Sequence, residues 1–260
     1  MNNVTTIIPV HEYNQTIGEY LDKAIESVLN QEDYSESLIL IVSTSEINDE
    51  IKKKLGYLKD KISYINNDGD LSYQSQVNLA VDNITTDYFM VLEFDDSISN
   101  SYMKNVNNYI NSFPSIDIFL SMIIEINERN EGIKITNETV WSQQFVGENG
   151  EMGYLNLNLL KQYSDFKLSG AVIKKESFNS IGKYKTKIKL TFMYEFLLRA
   201  LNNGCNIYSI PKIGYKHLST RENSMFDSYA KTMSIEERKY WFNTALSEYN
   251  FINDRDIVKV

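Results

Sequence analysis

The stretch Thr86-Asp87-Tyr88-Phe89-Met90-Val91-Leu92-Glu93-Phe94-Asp95-Asp96 decides the fold of this chain. Tyr88 to Leu92 is an unbroken apolar run, typical of a strand that is buried on both faces. It leads directly into the carboxylates of Glu93, Asp95 and Asp96, which repel one another unless a cation or a hydrogen-bond donor lies among them. Oxygen ligands of this kind suit Mg²⁺ or Mn²⁺. Because ligands of open α/β sheets bind beyond the carboxyl ends of strands, the stretch predicts a metal-dependent site for a phosphate-bearing ligand.

A second interpretation of the same carboxylates needs no ligand. They form a solvated acidic turn in which Asp96 or Ser97 caps the next helix. The stretch alone does not decide between the two interpretations.

The sequence before this stretch alternates between strands and helices. Strands are predicted at Val4–Val10, Leu38–Val42 and Lys61–Ile65, and helices at Ile17–Leu29, Ile51–Leu58 and Tyr73–Ile84. This alternation predicts a largely parallel sheet with right-handed crossovers. No GxGxxG motif follows the first strand and no GxxxxGK[ST] motif occurs, which excludes the usual dinucleotide and P-loop sites.

The second half of the sequence is less regular. Strands are predicted at Asp117–Ile126, Gly132–Thr136, Gly170–Ile173 and Asn206–Ile210, the last one ended by Pro211, and helices at Tyr194–Leu201 and Glu236–Tyr249. A capping box, Ser234-Ile235-Glu236-Glu237, opens the final helix. Residues 137–168, with Trp141, show no pattern that predicts a structure.

Composition and charge limit the possible functions. The 260 residues carry a formal net charge of −9, which argues against binding to nucleic acid or to an anionic membrane. The longest apolar stretch, Ile116–Ile126, is too short to span a membrane. No signal peptide is recognisable at Met1-Asn2-Asn3, and the single cysteine, Cys205, fits a reducing compartment, so we expect a cytoplasmic location.

Five segments, in order along the chain, resemble the family-2 glycosyltransferases of the GT-A fold. They are Val4–Val10 with Ala24–Gln31, Asp70–Ala80, Leu92–Asp96, Leu168–Ala171 with Ile181–Tyr184, and Glu195–Gly204 with Ile207–Pro211 and Tyr215–His217. The resemblance implies a GT-A-like α/β fold with a mostly parallel central sheet flanked by helices. It also implies one domain over residues 1–220, with a nucleotide-sugar side (1–105) and an acceptor side (106–220), followed by a helical C-terminal tail (221–260).

The same resemblance implies a function. A nucleotide-sugar donor and an unknown acceptor would meet at a Mn²⁺ or Mg²⁺ ion, which lowers the charge on the departing diphosphate. Asp95 would bind this metal and bridge to the diphosphate, with Asp96 and His217 as the other ligands. The alternative for His217 is a hydrogen-bonded residue beside Tyr215. The nucleotide-sugar would be bound by Pro9, Glu12, Ser43, Ser45, Asn78 and Glu93.

Three departures from the family pattern remove or change donor contacts. Ser43-Thr44-Ser45 stands where the family has an aspartate pair, and Val77 stands where it has an arginine. Glu93 replaces the first aspartate of the motif.

A fourth departure removes the catalytic base. Phe192-Met193 occupies the position of the family's Glu-Asp pair, and neither side chain takes a proton. Losing a general base typically costs on the order of 10²–10⁴ in rate. Glu195 is expected to point elsewhere on its helix, and nothing in the sequence places Asp165 or Glu176 at the site, so the catalytic residue stays unassigned.

These departures support a second hypothesis from another class. The chain would be a catalytically inactive GT-A-like domain that serves as a structural or binding module in a larger assembly such as a virion. Tyr240-Trp241-Phe242 and Tyr249 with Phe251 could then form an apolar docking patch in the tail. The alternative is that these aromatic residues pack the last helix onto the core.

Overall fold

A computed structural model of the chain describes residues 4–32, 38–137, 152–219, 221 and 224–255, with the backbone alone at 225, 226 and 230. Among these residues the strands are β1 (Val4–Pro9), β2 (Ile39–Ser43), β3 (Ile62–Asn66), β4 (Tyr88–Val91), β5 (Ser97–Ile98), β6 (Ile118–Ile126), β7 (Gly132–Thr136), β8 (Gly153–Leu155), β9 (Val172–Lys174) and β10 (Ile207–Leu218). The helices are α1 (Gln15–Leu29), α2 (Ser45–Leu55), α3 (Tyr73–Asn83), α4 (Tyr102–Ser112), α5 (Leu157–Gln162), α6 (Lys175–Ser180), α7 (Phe192–Asn202), α8 (Met225–Thr232) and α9 (Ile235–Glu248).

The strands form one mixed sheet in the order β3-β2-β1-β4-β9-β6-β10-β5, with β7 paired to β6 and β8 paired to β10. The first four strands are parallel, as the alternation of strands and helices predicts. β9 lies antiparallel between β4 and β6, and β10 is parallel to β6. β10 therefore runs in the direction of β4, and its carboxyl end lies at the same edge of the sheet as the carboxylates that follow β4.

Helices cover both faces of the sheet because each carries an apolar stripe. In α1, Leu21, Ala24, Ile25 and Val28 are buried against one face. Asn14 caps this helix, as expected, and accepts a hydrogen bond from the Ile17 amide at 3.0 Å.

Two boundaries differ from the expectation for physical reasons. α2 begins at Ser45, six residues early, because the Thr44 side chain caps it by accepting a hydrogen bond from the Ile47 amide. β10 does not end at Pro211 but continues to Leu218, and its pairing with β6 shifts register between Ile210 and Ile213. A proline without an N–H group fits at such an irregularity.

Helix α6 had no sequence prediction, and neither had two earlier helices in the middle of the chain. One is α4, whose N-cap position is Ser101, so neither Asp96 nor Ser97 caps the helix after the acidic turn. The other is α5, which with β8 lies in the stretch that showed no pattern. Residues 138–151 of that stretch, with Trp141, lie outside the described residues.

The last helix packs on the core instead of presenting an apolar patch. Trp241 and Tyr249 are buried, and Tyr240 and Phe242 pack against the same core cluster. Of the aromatic residues that could have formed a docking patch, Phe251 is exposed.

A buried network of charges holds the last helix to the rest. The Lys185 ammonium lies 3.1 Å from a Glu195 carboxylate oxygen and donates to the Glu248 backbone carbonyl of α9 at 2.7 Å. Arg199 donates two hydrogen bonds to Glu195, at 2.8 and 2.9 Å.

Within the described residues, no helix is both long and apolar enough to cross a membrane.

Candidate functional site

The backbone after β4 makes a tight turn that gathers the three carboxylates. The Asp96 amide donates to the Glu93 carbonyl at 3.0 Å, and the Leu92 amide donates to the Ile7 carbonyl at 2.9 Å. The Glu93 amide donates to the Tyr215 hydroxyl of β10 at 3.2 Å. The turn is therefore fixed by β1 on one side and by β10 on the other.

Asp96 forms a buried ion pair with His217 from the end of β10. The Nδ1 atom of His217 lies 2.9 Å from Oδ2 of Asp96, whose side chain is fully buried, and the Leu218 amide donates to Oδ1 at 2.8 Å. Burial alone would lower the pKa of His217, but the hydrogen bond and the charge of Asp96 outweigh it and raise this pKa to about 9. The carboxylate thus holds the imidazole in one orientation, as carboxylates do behind metal-binding histidines.

Glu93 lies beside this pair and is oriented by the second half of the chain. The Ser169 hydroxyl donates to its carboxylate at 2.8 Å. Burial, and next the charge of Asp96, raise the pKa of Glu93. A carboxylate in this position gains from the arrival of a positive charge.

Together, Glu93, Asp96 and His217 could hold a cation. One ligand atom from each lies within 4.8 Å of the other two. Two carboxylates and an imidazole are a donor set that a divalent cation such as Mn²⁺ accepts. The residues present therefore fit the metal that the resemblance implies.

Asp95, expected to bind the metal, is paired with an arginine in this structure. Nε of Arg221 lies 2.5 Å from Oδ2 of Asp95, and Nη1 lies 3.4 Å from the Glu12 carboxylate. The Arg221 guanidinium also lies over the Phe94 ring, 5.1 Å from its centroid. Burial and the charge of Glu93 raise the pKa of Asp95, and Arg221 opposes this shift. Sequence reasoning missed Arg221 because its partner lies far away in the chain.

These groups open into a cleft of about 600 Å³ at the carboxyl edge of the sheet. One wall comes from the first half of the chain and includes Pro9, His11 and Tyr73. The rest of the lining comes from the end of β10, from the segment after it and from α8. The described residues that line it there include Leu218, Ser219, Arg221, Ser224, Asp227 and Tyr229.

Three predicted donor-binding residues use their polar groups within the protein. The Ser43 hydroxyl donates to the Val10 carbonyl at 2.6 Å. Ser45 donates its amide and its hydroxyl to Asp68, at 2.6 and 2.5 Å. The Asn78 amide is bonded to the backbone of Tyr184 through both its nitrogen and its oxygen. The lining of the cleft includes none of Ser43, Ser45 and Asn78, whereas Pro9 and Glu93 belong to it.

The position of the missing base is filled by hydrophobic packing. Phe192 is fully buried, and its ring lies 5.4 Å from those of Tyr73 and Tyr184. Glu195 is committed to the buried ion pairs with Lys185 and Arg199 and points away from the cleft, as expected.

The two carboxylates considered as substitutes lie elsewhere. Glu176 lines a cavity with Asp87 and Tyr88 at the amino end of β4, the edge opposite to the acidic turn. Asp165 pairs with Lys134 at 3.4 Å beside a separate cavity.

Comparisons with known proteins agree with this architecture. The family described as "Glycosyl transferase family 2" matches residues 5–182. A crystal structure of S. aureus TarS 1-349 in complex with UDP superposes with a TM-score of 0.65 at 12% sequence identity, covering 95% of this chain and 80% of that one. The complex of TarS 1-349 with UDP-GlcNAc gives 0.65 at 13% over the same shares.

A longer TarS structure gives a TM-score of 0.61 at 15% identity, covering 95% of this chain and 48% of that one. At these identities the likeness shows the fold, which is the GT-A-like arrangement that the sequence predicts. A search of curated protein sequences gave no match.

Proposed function

Because the chain belongs to glycosyl transferase family 2, we propose that it moves a sugar from a nucleotide-diphosphate donor to an acceptor with the help of a divalent cation. The observation that carries this proposal is the grouping of Glu93, Asp96 and His217 at the edge of the cleft. When bound, Mn²⁺ or Mg²⁺ would supply Lewis-acid stabilisation of the negative charge on the diphosphate leaving group.

The chain's own residues have distinct tasks in this proposal. Glu93 and His217 face the cleft, and Asp96, buried beside them, both orients the ring of His217 and completes the group of three ligand residues. Ser169 and Tyr215 hold Glu93 through its carboxylate and its amide. This rigid support keeps the ligand atoms in place before the donor arrives, which reduces the cost of binding it.

Calorimetry with nucleotide-sugars tests the proposal. Wild-type protein is titrated with UDP-GlcNAc, which TarS binds in the structure compared above, and with other UDP-, GDP- and CDP-sugars, in Mn²⁺ and in EDTA. We expect binding of at least one donor in Mn²⁺ and a large loss in the Glu93→Gln variant. The matched control is Glu128→Gln, which removes the same charge from an exposed turn. Absence of binding with every donor contradicts the proposal.

The buried Phe192 favours a second candidate, a donor-binding domain without turnover that serves as a module in a larger assembly such as a virion. No described carboxylate stands at the position of the family's base. Release of nucleoside diphosphate from a donor that binds separates the two candidates. A bound donor that stays intact during prolonged incubation with candidate acceptors supports the module, and released diphosphate supports the transferase.

A further inference from the structure

We propose that Arg221 is a diphosphate-binding residue of the donor site, an inference that rests on the transferase function proposed above. Residue 221 lies beyond the segment that matches the family, residues 5–182. The role therefore rests on the geometry of this chain.

The charge of the cleft requires a cation on its wall. Glu93 and Asp95 line the cleft, and Glu12 lies next to them at the Arg221 guanidinium. A diphosphate entering among these groups meets like charges, which repel it over several ångströms. A single divalent cation on the group of Glu93, Asp96 and His217 offsets only part of this charge.

Arg221 is the sole arginine or lysine among the described residues that line the cleft. Its side chain is 9% exposed, so the guanidinium lies in the wall and not in bulk solvent. The remaining basic side chains of the lining are histidines. Burial lowers the pKa of His11, which disfavours its charged form, and His217 is already paired with Asp96.

The guanidinium is held ready for a second anion. It has five N–H donors in a planar fork that matches phosphate oxygens, and Asp95 takes the Nε donor. Packing over the Phe94 ring fixes its plane. The weaker contact to Glu12, at 3.4 Å, is the one that a phosphate oxygen replaces at the smallest cost.

Binding measurements test this role. Wild-type protein and the Arg221→Gln variant are titrated with UDP, GDP and CDP in Mn²⁺, and with the nucleoside of whichever diphosphate binds best. We expect the variant to bind that diphosphate about tenfold or more weakly, the effect of one charge-assisted hydrogen bond. Affinity for the nucleoside should stay within about twofold, because a nucleoside has no phosphate for Arg221 to hold.

Two controls separate a phosphate contact from other effects. Lys239→Gln removes one positive charge from an exposed position of α9 outside the cleft lining and should leave diphosphate affinity unchanged. In EDTA, Asp95→Asn should strengthen diphosphate binding, and the double variant with Arg221→Gln should lose that gain. If the double variant keeps the gain, Arg221 only neutralises Asp95 and the inference fails.

The outcomes also distinguish this inference from the function on which it rests. If wild-type protein binds none of the diphosphates or donors, the proposed function fails. If wild-type protein binds a diphosphate and Arg221→Gln binds it equally well, the proposed function stands and the role of Arg221 is overturned. Equal loss of nucleoside and diphosphate affinity in the variant, together with a changed circular dichroism spectrum, indicates a damaged cleft. This result would contradict the proposal that Arg221 contacts only the phosphates of the donor.

Discussion

The role of His217 follows from its contacts in the folded structure and not from its position in the sequence. From the sequence, a ligand and a hydrogen-bonded residue beside Tyr215 were both open. The structure shows a hydrogen bond to Asp96 at 2.9 Å and places the ring in the cleft. An imidazole held this way by a carboxylate can bind a cation through its other nitrogen when the cation displaces the proton on that nitrogen.

We predict that His217→Gln weakens Mn²⁺ binding by about tenfold or more, because one of the three ligand groups is lost. Titration calorimetry, or the paramagnetic relaxation of water protons by Mn²⁺, measures the affinity. The chain has two histidines, and His11→Gln is the control for loss of an imidazole near the cleft. Equal weakening in both variants contradicts a ligand role for His217.

Gly170 is fixed by close packing under the acidic turn. Its φ angle is +65°, and a Cβ atom built there would lie 2.2 Å from the ring of Tyr215. We predict that Gly170→Ala costs about 1–3 kcal/mol or more in the free energy of unfolding, measured by urea denaturation, because the ring must move in a dense core. Gly56→Ala is the control, since a Cβ there meets no atom within 4 Å. Equal effects of the two substitutions would mean that Tyr215 adjusts freely.

At the scale of elements, the sequence predicted those strands and helices whose pattern of apolar residues matches the side chains that are buried in the structure. Runs such as Tyr88–Leu92 are buried on both faces and stand between helices with regular apolar spacing, so their strands were placed within a residue or two. The predicted strand was shorter than β10 because a proline such as Pro211 usually ends a strand. In this sheet a register shift between β10 and β6 accommodates the proline.

The candidate site was predictable where the motif itself is local and unpredictable where a partner is distant. Glu93, Asp95 and Asp96 follow one strand and are visible as a cluster. Arg221 is 126 residues away from Asp95, and no periodicity links the two positions. Ser45 and Asn78 occupy family positions, but their hydrogen bonds to Asp68 and Tyr184 depend on loops that sequence pattern does not place.

The end of β6 has a charge cluster that makes stability depend on pH. Glu125 is paired with Lys167 at 2.5 Å and Lys134 at 3.4 Å. Burial would raise the pKa of Glu125, but the hydrogen bond and charge of Lys167 and the charge of Lys134 together lower it below its ordinary value. A carboxylate with a depressed folded-state pKa stabilises the fold above its unfolded pKa of about 4.3, and this contribution is lost as the pH falls further.

We therefore predict that Glu125→Gln reduces the dependence of the free energy of unfolding on pH in the acidic range. Wild-type protein should lose more free energy of unfolding than the variant between pH 5.5 and the lowest pH at which both remain folded. Urea denaturation at a series of pH values measures this difference. Glu131→Gln, in the adjoining turn, is the control. Parallel curves for wild type and Glu125→Gln would exclude the linkage.

At the scale of the whole molecule, the last helix is a structural part of the domain. Trp241 of α9 is 2% exposed, and the Glu248 carbonyl receives the buried Lys185 ammonium. Removing α9 would leave a buried charge without its partner and would expose apolar core surface to water. Both effects lower the free energy of unfolding.

We predict that a chain ending at Met233 does not unfold cooperatively, as measured by thermal circular dichroism. Glu195→Gln in the full chain is a milder test, because it leaves Lys185 and Arg199 without their shared carboxylate and should cost about 3–5 kcal/mol. Glu236→Gln, at the start of the same last helix, should stay within about 0.5 kcal/mol of wild type. A sharp transition in the shortened chain would show that α9 is dispensable.

The course of β10 has a consequence for the order in which the protein is made. A ribosome releases Asp95 126 residues before Arg221, the cation that neutralises it, and at about 5–20 residues per second this interval lasts roughly 6–25 seconds. During that time the parallel strands can assemble, while the acidic turn has to remain hydrated. The carboxyl edge of the sheet can therefore close around Asp95 only after Arg221 has been made.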